Sequence, residues 1–132
     1  MTVVDTSALM AVIASEPSAE QCQSILEQET QILMSAATLT EALIVAARRG
    51  FSADMRLAIE TSVTSIVELT SERAQLAAEA YTRWGKNFHR ASLNFGDCFA
   101  YATAKVFDCP LLFIGNDFSR TDIQSAIPTP AL

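Results

Sequence analysis

Histidine is almost absent from this sequence: His89 is the one imidazole in 132 residues. A zinc site built from His and Cys is therefore not supported, since such sites draw three or four ligands from those two types. Acid–base chemistry that needs a pair of histidines is excluded on the same ground. Cysteine is scarce and unpaired. Cys22, Cys98 and Cys109 are odd in number and form no C-x-x-C motif, which fits reduced thiols in the cytoplasm rather than a disulfide framework. Their ordinary role is that of small buried hydrophobes. Only four glycines are present. None lies in Asp5-Thr6-Ser7-Ala8, where a dinucleotide-binding turn would need them.

Positive charge is also short. Nine Lys and Arg stand against fifteen Asp and Glu, a formal net charge of −6 at pH 7. Bulk attraction to nucleic acid normally goes with a basic chain, so any such contact here has to be local and bridged by metal. The acidic balance also suits a basic protein partner. No apolar run reaches the roughly 18 residues of a membrane span. The longest candidate, residues 32–47, is broken by Ser35, Thr38, Thr40 and Glu41. No basic stretch leads into an apolar one at the start of the sequence, so no secretion signal is expected. The expectation is a cytoplasmic protein without membrane association.

Half of the residues are hydrophobic (50%), enough for one real core and a single domain over residues 1–132. Short β-branched and aliphatic runs predict strands over 2–5, 30–34, 65–69 and 111–114. Residues 126–132 hold Pro128 and Pro130 and are at most an edge strand. Helices are predicted over 7–14, 18–28 and 38–49, the last stopped by Gly50. Three more follow: one opened by Ser52, one from Thr70 or Ser71 to the residue before Gly85, and one over 96–107. Residues 86–93 read as a polar, basic loop, and 115–122 as a polar loop with room for a helical turn. The alternation implies an α/β fold whose mostly parallel sheet is covered on both faces. In such sheets ligands bind outside the carboxyl ends of the strands.

Four carboxylates fall where strands hand over to helices or loops. They are Asp5 after Val3-Val4, Glu41 in Thr40-Glu41-Ala42-Leu43, Asp97 in Phe95-Gly96-Asp97-Cys98, and Asp117 in Gly115-Asn116-Asp117-Phe118. Each lies beside apolar sequence, where burial of an unpaired charge is expensive. Each also admits a plainer role. Glu41 shares a helix face with Val45 and Arg48, and a solvated pair with Arg48 or Arg49 would suffice. Asp97 would serve as a first-turn carboxylate at the positive end of a helix dipole, and Asp117 as a turn former with Asn116. Asp5 has no comparable packing role. All four nevertheless map to one end of one sheet. At an effective dielectric of 20, two charges about 5 Å apart repel by roughly 3 kcal/mol, so convergence calls for a cation. An all-oxygen donor set suits Mg²⁺ or Mn²⁺, and points to metal-assisted phosphoryl chemistry. An aspartate-nucleophile phosphatase would want a second acid two residues after Asp5, and Ser7 stands there.

Taken in order and spacing, Val3-Val4-Asp5-Thr6-Ser7-Ala8-Leu9, Thr40-Glu41-Ala42-Leu43, the motif from Phe95 to Ala102 and Gly115-Asn116-Asp117-Phe118 with Thr121-Asp122 resemble the PIN-domain ribonucleases. Among these the sequence is most similar to the VapC-type toxins of bacterial toxin–antitoxin modules. The resemblance spans essentially the whole chain. It implies a three-layer α/β/α sandwich with a central, mostly parallel sheet. It also implies an Mg²⁺- or Mn²⁺-dependent endoribonuclease acting on tRNA or rRNA, a homodimer, and neutralisation by a VapB-like antitoxin. By the same resemblance Asp5 and Asp97 are principal metal ligands, and Glu41 and Asp117 hold a second metal or orient water. Thr6, Ser7, Asn116 and Asp122 would support them, the first three by hydrogen bonds to the first and fourth carboxylates. Ile114 departs from the Lys or Thr common in relatives, and Thr2 from an aliphatic residue. The alternative is a catalytically silent PIN-fold binding module.

Basic residues are few but clustered. Arg83, Lys86, His89 and Arg90 precede Asp97, with Trp84 and Phe88 between them, and Arg120 lies in the last motif. Lys86, Arg90 and Arg120 are the candidate RNA contacts; a solvated loop is the plainer reading. Trp84 is expected in the core and His89 at the surface. The stripe Met55, Ile59, Val63 suits either the core or an interface.

Overall fold

The computed structural model describes residues 1–128. Four strands, β1 (Thr2–Val4), β2 (Ile32–Ser35), β3 (Ser65–Val67) and β4 (Leu111–Leu112), pair in parallel in the order β3-β2-β1-β4. Six helices connect them: α1 (Thr6–Ile13), α2 (Ala19–Gln28), α3 (Ala36–Arg49), α4 (Ser52–Ser62), α5 (Ser71–Trp84) and α6 (Phe95–Val106). A 3₁₀ turn, Phe118–Arg120, follows β4.

Successive strand residues point to opposite faces of the sheet, and both faces are apolar. Val3, Leu33, Leu111 and Phe113 pack with α5 and α6 on one side. Val4, Ile32, Met34 and Leu112 pack with α1, α2, α3 and α4 on the other. The result is the expected three-layer α/β/α arrangement. Met55 is fully buried, with Ile59 and Val63 against the same cluster, so that stripe is core. On α3, Ala42 and Ala46 belong to the same cluster, with Leu39 and Leu43 packed against it.

The strands are shorter than predicted because each ends where its partner ends. β4 stops at Leu112, which pairs with Val4, the last residue of β1. β3 stops at Val67, opposite Ser35. Beyond Ser35 the chain has already turned into α3, which starts two residues earlier than expected because the Ser35 hydroxyl caps it, accepting from Ala37 N at 3.2 Å. Gly50 ends α3 in the left-handed region, φ 79°, as its position suggested. After Gln124 the chain touches β4 once more: Leu111 forms a single parallel bridge with Ser125, and Ala126 N donates to Leu111 O. The rest of the possible edge strand, residues 129–132, lies outside the described residues.

β1 is central. From it the chain moves outward through β2 to β3, then crosses back over α5 and α6 to place β4 on β1's other side. The order therefore reverses between β1 and β4, and their carboxyl ends frame the crevice where such sheets bind ligands. Among the described residues no helix is long and apolar enough to cross a membrane.

Candidate active site at the carboxyl end of the sheet

Asp5 directly follows β1 and caps α1. Its Oδ2 accepts from Ser7 N at 3.1 Å and from the Ser7 hydroxyl at 2.6 Å. The same hydroxyl accepts from Ile114 N at 3.0 Å, so Ser7 ties the exit of β1 to the exit of β4. The other oxygen, Asp5 Oδ1, is buried and has no hydrogen-bond partner among the described residues. Asp97 is the third residue of α6 and half of a capping box: Asn94 Oδ1 accepts from Asp97 N at 2.8 Å, and Asp97 Oδ2 accepts from Asn94 N at 3.0 Å. Such reciprocal bonds satisfy amides that a helix start leaves unpaired.

Glu41 comes from the second turn of α3. The Thr6 hydroxyl donates to its Oε1 at 2.7 Å. The plainer pairing with Arg48 or Arg49 is not made; the ion pairs among the described residues are Met1–Glu29, Arg83–Asp122 and Lys105–Asp122. The Glu41 carboxylate lies against Gly96 at the start of α6, where the helix dipole favours negative charge. Asp117 is exposed at the entry to the 3₁₀ turn.

Electrostatics link the four. Burial is the main cause that pushes the Asp5 carboxyl up to about 6; bonds from Ser7 oppose it and the Glu41 charge adds to it. Burial likewise leads in pushing Asp97 up to about 7. The Asn94 amide opposes that shift, and the charges of Asp5, Asp117 and Glu41 reinforce it. Asp97 thus feels all three other carboxylates. Among the described residues no group of three or more His, Cys, Asp or Glu side chains is disposed to hold a metal ion. Mg²⁺ does not need such a group, since it keeps several waters and typically takes one or two carboxylates. The orphaned Asp5 Oδ1, hard oxygen donors and mutual repulsion around Asp97 fit such an ion. Asp5 and Asp97 would hold it, with Glu41 and Asp117 beside them.

The supporting residues divide. Ser7 holds Asp5 as expected. Thr6 acts elsewhere than expected: its hydroxyl serves Glu41 on α3, not the first carboxylate. Asn116 offers its backbone carbonyl to the Ser119 hydroxyl at 2.6 Å rather than a side-chain bond to Asp117. Asp122 bonds to α6. It accepts from Tyr101 and, at 3.2 Å, from Lys105, residues one and two turns farther along α6 than Asp97. Through these bonds Asp122 clasps the segment after β4 to α6.

Lys86 and Arg90 are exposed on a loop closed at its neck by a Gly85–Leu93 bridge and by Lys86 N donating to Leu93 O at 2.9 Å. Arg120 reaches this loop, donating to Arg90 O at 3.3 Å, and the loop runs directly into Asn94. Trp84 packs against the core and donates to the Tyr101 hydroxyl at 3.0 Å. His89 is half-buried, edge-on to Trp84 with its Nδ1 accepting from Ala91 N. A groove of about 660 Å³ runs beside Glu41 between α3 and the start of α6, walled by Ile44, Val45, Arg48, Leu69, Phe95 and Phe99. Phe95 is 75% exposed. Sequence reasoning singled out neither Phe95 nor Gly96, although both sit beside Asp97 in one helical turn.

A PIN domain family model matches residues 2–124. The chain therefore belongs to the PIN-domain family, among the VapC ribonucleases. It is 42% identical over 130 residues to ribonuclease VapC30 of Mycobacterium tuberculosis, covering 96% of this chain and 99% of that one. The fold matches VapC20 of Mycobacterium tuberculosis, a Sarcin-Ricin loop cleaving toxin, with TM-score 0.78 and 18% identity over 97% of this chain and 100% of that one. It also matches a toxin–antitoxin complex from Klebsiella pneumoniae, with TM-score 0.69 and 19% identity over 92% and 93% of the two chains.

Proposed function

We propose that this chain is an Mg²⁺- or Mn²⁺-dependent endoribonuclease whose metal is held by Asp5 and Asp97, with Glu41 and Asp117 completing the acidic set. The observation that carries this reading is the buried Asp5 Oδ1, without a partner among the described residues, beside a carboxylate, Asp97, that burial and then the other three charges push upward. When bound, the divalent ion would neutralise that field, polarise a phosphoryl oxygen and make a water nucleophilic near neutral pH. Ser7 holds Oδ2 of Asp5 and Asn94 holds Oδ2 of Asp97, so each carboxylate would keep its other oxygen for the ion. Thr6 holds Glu41 in place. Lys86, Arg90 and Arg120 supply local positive charge for the RNA backbone on an otherwise acidic protein. The expected products carry 5′-phosphate and 3′-hydroxyl ends.

The relatives' descriptions as ribonuclease VapC30 and as a Sarcin-Ricin loop cleaving toxin support RNA as substrate, and the family resemblance makes tRNA or rRNA the class we propose. The toxin–antitoxin complex among the structural neighbours supports a VapB-like antitoxin that keeps this chain silent, and a homodimer in the cytoplasm is the form in which it would act. The test is cleavage of total RNA by the antitoxin-free protein with Mg²⁺ or Mn²⁺, beside EDTA and Asp97→Asn controls, with product ends mapped. Metal-dependent cuts bearing 5′-phosphates and lost in the variant are expected. Folded, metal-binding protein that cuts no RNA would replace this reading with the silent binding module.

A further inference from the structure

Gly96 is the second residue of α6, next to Asp97. The glycines with positive φ are Gly50 and Gly115, so the backbone at 96 accepts any L-residue, and alanine would favour the helix more than glycine does. Space forbids it. A Cβ at this position would lie 2.7 Å from Glu41 Cδ and closer still to Oε2. Thr6 holds the same carboxylate through Oε1 at 2.7 Å. Glu41 is therefore clamped between a hydroxyl and a bare stretch of helix backbone. Pushed off Gly96, it would leave the positive end of α6 for a groove whose walls are apolar apart from Thr40 and Arg48.

We propose that Gly96 is a positioning residue that leaves the gap through which Glu41 reaches the Asp5–Asp97 pair, and so sets the affinity of the site for a divalent ion. This rests on the metal-dependent reading of the site above. Gly96 touches no substrate; it acts only through Glu41.

The test is a cycle of four proteins: wild type, Gly96→Ala, Glu41→Ala and the double variant. Mn²⁺ affinity is measured by electron paramagnetic resonance, melting temperature without metal by calorimetry, and RNA cleavage in parallel. Gly96→Ala is expected to weaken Mn²⁺ binding about tenfold or more, as loss of a supporting contact does. On the Glu41→Ala background the same substitution should change Mn²⁺ affinity less than about twofold and raise the metal-free melting temperature by about 3 °C, the helix preference now being unopposed. Such non-additivity is the signature of direct coupling. Equal losses on both backgrounds, or wild-type Mn²⁺ affinity in Gly96→Ala, overturn the proposal. If Gly96→Ala alone does not fold, a folded double variant supports the clash and an unfolded one overturns it. Wild type that binds Mn²⁺ but cuts no RNA removes the nuclease reading while the binding cycle still decides the role of Gly96. Wild type that binds no Mn²⁺ removes both.

Discussion

The Thr6 hydroxyl is bound to Glu41 on α3 at 2.7 Å, although Thr6 adjoins Asp5 in the chain. A residue at the start of α1 thereby fixes the one carboxylate that comes from a helix interior. Thr6→Val keeps the shape and removes the donor. We predict a loss of about 1–2 kcal/mol in transition-state stabilisation, roughly a tenfold fall in kcat/KM, because a hydrogen bond to a charged group is of that strength. Unchanged cleavage kinetics in this variant would show that Glu41 needs no such restraint.

Ser7 serves two strands at once, donating to Asp5 Oδ2 and accepting from Ile114 N. Ser7→Ala leaves Asp5 with one fewer stabilising donor and the Ile114 amide without its acceptor. The cost in stability is predicted at about 1–3 kcal/mol. Ser7 bonds are the main influence holding the Asp5 carboxyl down against burial, so the acid limb of the pH–rate profile should move to higher pH. A profile that coincides with wild type argues against Asp5 titrating in the reaction.

Metal-free protein should lose stability as pH rises. The folded values of Asp97, about 7, and Asp5, about 6, lie above the ordinary 3.8. Between these limits the folded state binds more protons than the unfolded one, so stability falls as pH rises from about 4 to about 7. Asp97→Asn removes one of these titrations and keeps an oxygen for the Asn94 amide. In chemical denaturation without metal, the variant should exceed wild type by on the order of a few kcal/mol at pH 8. That advantage should shrink toward pH 5. Bound metal has to displace these protons, so the rise in melting temperature on adding Mg²⁺ should be larger at pH 8 than at pH 5. A pH-independent difference between variant and wild type is the contrary result.

Arg120 is bonded to the loop that carries Arg90, which gathers positive charge next to the helix start that holds Asp97. Charge reversal at Lys86 and Arg90 should weaken RNA binding and reduce its dependence on salt by about one to two phosphate contacts. Metal affinity should not change. Binding titrations at several salt concentrations, with Asp97→Asn as the inactive background, measure this directly.

The alternation of strand and helix was legible because buried parallel strands read as short apolar runs, and a carboxylate at the end of such a run has little structural reason to be there. Asp5 is the clearest instance. Element boundaries were less legible, since the end of β3 depends on where β2 ends and not on residues 68 and 69 themselves. The partner of Thr6 was hidden for a related reason: helix geometry, not chain adjacency, decides which neighbour a hydroxyl meets. Asp122 shares a motif with Asp117, yet one 3₁₀ turn between them carries it to Tyr101 and Lys105. The significance of Gly96 lies wholly in a side chain from another helix.

The pairing of Val3 with Leu111 and of Val4 with Leu112 joins the first strand of the sheet to the fourth, made more than a hundred residues later. Until β4 arrives, the central strand has a bare edge and the Asp5 amide lacks the acceptor it finds at 3.0 Å in Leu112 O. Contacts so distant in sequence form slowly, and no smaller portion of the sheet brings Asp5 and Asp117 together. A chain ending before residue 111 should accordingly show neither Mn²⁺ binding nor a cooperative melt. The order of synthesis thus acts as a safety catch: the acidic crevice stays open and inert until the fourth strand has been made.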